Sequence, residues 1–142
     1  MSDRPAIIIT HQGDSFYLAH TIAQTRQSNP RSRLILLGDE AYDYYLGVEH
    51  YDYRQYSSEA NRLGTLYRHR NAVDEHHEWL RFYFQKWVMI RNFIRQEKLP
   101  STFIIDSNVL LYADLAVLQE QLEHPKFTVS QIELDVESAA GG

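Results

Sequence analysis

The stretch F103-I-I-D-S-N-V-L-L-Y-A-D-L115 decides how this chain is read. An apolar run, Phe103-Ile104-Ile105, delivers Asp106, Ser107 and Asn108, and a second apolar run, Val109-Leu110-Leu111, follows at once. Asp, Ser and Asn are turn residues, so one reading is a tight turn after a buried strand. The other reading is a metal or phosphate site at a sheet edge. Both require residues 101–106, STFIID, to be a strand.

The same pattern recurs upstream. AIIIT (6–10) is a short β-branched run that ends in His11-Gln12-Gly13-Asp14-Ser15, and RLILLGD (33–39) is a second run with a glycine stop. Such runs mark buried strands. Between the first two runs, FYLAHTIAQTRQ (16–27) has helical spacing, with Asp14 and Ser15 as candidate caps and Asn29-Pro30 as its stop. AYDYYLG (41–47) reads as a short helix closed by Gly47, and VEHYDY (48–53) as a weak strand. Residues 54–73 admit a short helix, which Gly64 disfavours.

Residues 74–99 carry the strongest periodicity. Trp79, Phe82, Tyr83, Trp87, Ile90 and Ile94 read as one core stripe, with Arg81, Gln85, Arg91 and Arg95 largely off it. Asp74 and Glu75 suit the helix start, and Pro100 lies beyond its end. AVLQEQL (116–122) reads as a helix and FTVSQIEL (127–134) as a strand. Strands that alternate with helices predict an α/β layer with a mostly parallel sheet. The expected organisation is one domain over residues 1–135 and a disordered tail over 136–142.

Composition narrows the function classes. The chain has 142 residues, 44% hydrophobic and 13% aromatic, which suits a real core rather than a disordered segment. Its formal charge is −5 and it has no lysine-rich block, so nucleic acid is not an expected partner. There is no cysteine, which rules out disulfides and thiolate metal sites. No run approaches the ~20 apolar residues of a membrane span, and the N-terminal run is too short for a signal peptide core. The expected location is cytoplasmic.

In parallel α/β sheets, ligands bind beyond the carboxyl ends of the strands. Thr10-His11-Gln12 and Asp106-Ser107-Asn108 are the polar clusters at such ends. His76-His77 is no metal pair, since adjacent helical residues point about 100° apart.

The order of these elements resembles the GT-A nucleotide-sugar glycosyltransferases. The carriers are IIDSNVLLYADL, similar to that family's Asp-x-Asp element, QKWVMIRNF with Lys86 before Trp87, and the N-terminal AIIITHQGDSFYLAHTIAQTRQSNP. The resemblance spans roughly residues 6 to 115 and implies a Rossmann-like sheet flanked by helices. It implies binding of a UDP- or GDP-sugar and transfer of the sugar to a glycan, lipid or protein acceptor. Thr10, His11, Gln12, Tyr17, Lys86 and Asp106 would then contact the donor. Asp106 and Asn108 would hold Mn²⁺ or Mg²⁺, a Lewis acid for the departing diphosphate.

Two departures stand out. Asn108 replaces a carboxylate by a neutral amide. Only 27 residues (142 − 115) follow Leu115, whereas the family's acceptor site and catalytic base come from its C-terminal half. The expectation is therefore a nucleotide-binding half, completed by further chain or by a partner. The alternatives are a binding or regulatory module without turnover, and a receiver-type domain phosphorylated at Asp106. A receiver needs an acidic pair after the first strand, where this chain has Thr10-His11-Gln12.

Overall fold

β1, Ala6–His11, is buried along its whole length, and so is β2, Leu34–Gly38. These strands lie at the centre of the sheet in the computed structural model, which describes residues 4–39, 45–67 and 74–122 (backbone only at 74–76 and 79). Helix α1, Tyr17–Ser28, links them, and β3, Glu49–Asp52, pairs with the far side of β2. A 3₁₀ turn, Tyr53–Tyr56, leads into α2, Ser58–Gly64. Helix α3, Asp74–Gln96, then returns the chain to β4, Thr102–Asp106, and α4, Leu115–Gln121, follows.

All four strands are parallel, in the order β3-β2-β1-β4. Ile9 of β1 faces Leu36 on one side and Ile105 on the other, so the three runs singled out in the sequence are direct neighbours. The order 3-2-1-4 matches the first four strands of the doubly wound Rossmann arrangement.

Strand alternation divides the core into two layers. Ala6, Ile8, Ile35 and Leu37 face α2 and α3 and pack with Ala60, Met89, Ile90 and Phe93. Ile7, Ile9, Leu34 and Leu36 face the other way and pack with Leu18 and Ile22 of α1 and Leu115 of α4. At the amino edge, Arg33 holds Glu49 in a two-pronged ion pair at 2.8 Å and reaches Glu97 at 3.2 Å.

Several local expectations change. No side chain caps α1; Phe16 occupies the cap position and Leu18 N–H donates to the Ser15 carbonyl. Residues 45–47 form a turn with Gly47 at φ +77°, not the end of a helix. Gly64 ends α2 facing α3, and a Cβ there would run into the Gln85 amide. Of the expected α3 stripe, Ile90 is buried and Phe82 and Ile94 pack against the core, whereas Trp87 is 53% and Tyr83 39% exposed; Lys86, Met89 and Phe93 are buried in addition.

The C-terminus of α3 closes in a Schellman motif. Leu99 N–H donates to the Ile94 carbonyl and Lys98 N–H to the Arg95 carbonyl, with Lys98 left-handed at φ 52°. Residues 41–44 of the helix expected over 41–47, the strand over 127–134, the tail over 136–142 and the side chains of Asp74, Glu75, His76 and Trp79 lie outside the described residues. Among the described residues, no helix is long and apolar enough to cross a membrane.

Candidate functional site

β2 and β3 extend from one side of β1 and β4 from the other. Helix α1 packs on one face of the sheet and α3 on the opposite face. The crossovers therefore diverge between β1 and β4, and their carboxyl ends form the crevice where ligands of such sheets bind. His11, Asp106 and Ser107 meet there.

Asp106 shares the alternation of Ile104, which directs it toward α3. Lys86 comes up from α3, and its Nζ lies 2.8 Å from Asp106 Oδ1. The ammonium also sits 4.6 Å from the Tyr83 ring centroid and 5.3 Å from that of Trp87. Aromatic faces at this range attract a cation, which offsets part of the cost of burying the lysine. Its side chain is 8% exposed, against 53% for the aspartate.

His11 follows the opposite alternation and faces α1. Its Nδ1 is 2.8 Å from Ser107 Oγ, and its ring meets Tyr17 edge-on at 6.0 Å. The Thr21 hydroxyl donates to the Ser107 carbonyl. The loops after β1 and β4 are thus tied to each other and to α1. Burial lowers the His11 pKa below its usual 6.5, against the opposing pull of Asp39, the Gly13 backbone and Asp14. The imidazole is therefore neutral at pH 7.

The loop after β4 forms the turn that the sequence admitted. Val109 N–H donates to the Asp106 carbonyl at 3.1 Å, closing Asp106-Ser107-Asn108-Val109. Lys98 is the only non-glycine with positive φ among the described residues, so Asn108 is not there to supply a left-handed conformation. Further along, buried Asn29 anchors the same loop, donating to the Ala113 carbonyl at 3.0 Å and accepting from Leu115 N–H at 2.8 Å.

Asp39, at the end of β2, escaped the sequence reading. Its Oδ1 accepts from Gly13 N–H at 2.8 Å, and it also bonds Tyr53. Burial first, and the Asp39 charge second, raise the Tyr53 pKa, keeping the phenol protonated. The signal was available: Gly38-Asp39 ends a buried strand much as Ile105-Asp106 does. Gln12 is exposed and lines a cleft of about 460 Å³ with Tyr53, Arg54, Phe82, Gln85 and Met89. Thr10 is buried within β1 beside Asp106. Tyr17 is half-buried, and Phe16, 87% exposed, meets the Tyr17 ring edge-on.

The donor set at this strand end does not fit a divalent cation by itself. Asp106 already takes the Lys86 ammonium, and Asn108 is exposed and uncharged. Among the described residues, no three His, Asp or Glu side chains converge as a metal group. Comparison with family models, curated proteins and solved structures finds no match to this chain in any of the three.

Proposed function

We propose that this chain binds a nucleoside diphosphate sugar at the carboxyl edge of its sheet and serves glycosyl transfer. The observation that carries the reading is the meeting of Lys86 and Asp106 at the β1/β4 switch point. The diphosphate lies against Lys86. The base enters the neighbouring cleft, where Gln12, Tyr53 and Gln85 offer polar atoms and Phe82 an apolar wall. Asp39 shapes that cleft by fixing Gly13 and Tyr53.

Calorimetric titration with UDP, GDP, ADP and their sugar conjugates tests this. The expected result is saturable heat with at least one diphosphate, and its loss in Asp106→Ala. No heat and no thermal shift with any of them overturns the reading.

Asn108 favours a second reading, a module that holds the nucleotide sugar without turnover. Release of free nucleoside diphosphate from the bound conjugate, followed by chromatography, separates the two.

A further inference from the structure

We infer that the positive charge facing the diphosphate in this site is the Lys86 ammonium, and that binding needs no divalent cation. This rests on the nucleotide-binding reading above and adds to it the source of the neutralising charge.

Four observations converge. Lys86 is a lysine on the buried face of a helix, its side chain only 8% exposed, at a position where the core stripe would otherwise be apolar. Its ammonium is held from three sides, by Asp106 and by the Tyr83 and Trp87 rings, so it is already ordered before any ligand arrives. Both rings and the carboxylate are partly open to solvent, which leaves an approach for an anion. The fourth is Asn108, whose neutral amide two residues after Asp106 adds no charge for a cation.

A divalent cation taken up by Asp106 would have to displace the ammonium or sit beside it. Like charges at such range repel strongly where water is partly excluded. A diphosphate is drawn to the ammonium and repelled by the half-exposed Asp106 carboxylate, so its advantage lies in how the cation is held. It gains a fixed cation without the ordering cost of a free lysine, which normally carries large rotamer entropy. Lysine binds phosphate as a point charge, so the contact tolerates different nucleosides.

The experiment is a titration of UDP and GDP, and of inorganic pyrophosphate, in EDTA and in millimolar MnCl₂. Wild type, Lys86→Met and Lys86→Arg are compared, with folding checked by circular dichroism. Wild-type affinity in EDTA is expected within about twofold of that in MnCl₂. Lys86→Met is expected to lose about tenfold or more in EDTA, and Lys86→Arg to recover part of it. Affinity should also fall as salt is raised. Binding that appears only with MnCl₂, or that survives Lys86→Met unchanged, overturns this inference and leaves the nucleotide reading standing. Absence of binding in every condition removes both.

Discussion

Lys86 Nζ and Asp106 Oδ1 lie 2.8 Å apart, yet the lysine side chain is buried and the aspartate is half exposed. The pair is therefore asymmetric in what each partner loses. Asp106→Ala leaves a buried ammonium with only the two rings, and an unsatisfied buried polar group costs about 1–3 kcal/mol. Lys86→Met keeps most of the buried stem and releases a carboxylate that water can reach, for a cost of about 0–1 kcal/mol. Urea unfolding should rank Asp106→Ala as clearly the less stable variant. Equal destabilisation would mean that the ion pair contributes nothing beyond packing.

Lys98 offers a second, independent test. It holds a left-handed conformation that costs an L-residue roughly 1–2 kcal/mol, part of which glycine gives back through its freer unfolded chain. Lys98→Gly should raise stability by about 0.5–1 kcal/mol, seen as a higher urea midpoint with an unchanged slope. Leu99 and Ile94, which pack together against the core below this cap, should make Leu99→Ala destabilising at the same helix end. A lower midpoint in Lys98→Gly would contradict the assigned cap.

Acidification should weaken the fold in two separate windows. Burial depresses the His11 pKa, so the unfolded chain binds a proton that the folded one resists. Stability from this site is complete above about pH 6.5 and declines as pH falls toward the folded value. Glu49 is lowered mainly by its hydrogen bonds to Arg33, so its contribution stays intact until pH drops below the usual 4.5 and is then lost. Thermal melts from pH 7.5 down to pH 5 should show the first decline, and His11→Gln should flatten it. A wild-type profile that is flat over that range would show that His11 titrates normally.

β1 and β2 were legible because burial on both faces leaves little room for polar residues, and β4, half-buried at the sheet edge, from its apolar run Phe103-Ile104-Ile105. AIIIT, RLILLGD and STFIID all read as strands, and all three are adjacent in one parallel sheet. The long helix was legible in extent, but its inward face only in part: Phe82, Ile90 and Ile94 pack in the core, Tyr83 and Trp87 do not. Trp79, Tyr83 and Trp87 recur at fourth positions and compete with Lys86, Met89 and Phe93 for the same face. A lysine on the buried side argues against that side until its partner is known. The partner, Asp106, comes from a different element, and no local window contains it. The anchoring role of Asn29 was missed for the same reason, since its hydrogen bond joins segments 86 residues apart, whereas Asp39 carried the same strand-end signal as Asp106 and was passed over. The residues after β1 and β4 were found because strand ends are punctuated locally.

Asn108 gives the last prediction. The turn that contains it places no demand for a left-handed residue, so Asn108→Asp should fold normally. The change sets a second carboxylate two residues from Asp106. A carboxylate attracts a cation by charge where an amide offers only a dipole. Mn²⁺ affinity should rise by about tenfold or more, on the order of 1.4 kcal/mol. The rise should be larger in the double variant Lys86→Met/Asn108→Asp, because the ammonium that competes for Asp106 is gone. Nucleotide binding in that double variant should become dependent on Mn²⁺, whereas in wild type it should not. Titration of Mn²⁺ followed by electron paramagnetic resonance reads both effects directly. If Asn108→Asp leaves Mn²⁺ affinity unchanged while circular dichroism shows an intact fold, the two side chains do not converge. The Asp106–Val109 turn would then be the whole reason for the polar residues between the two apolar runs.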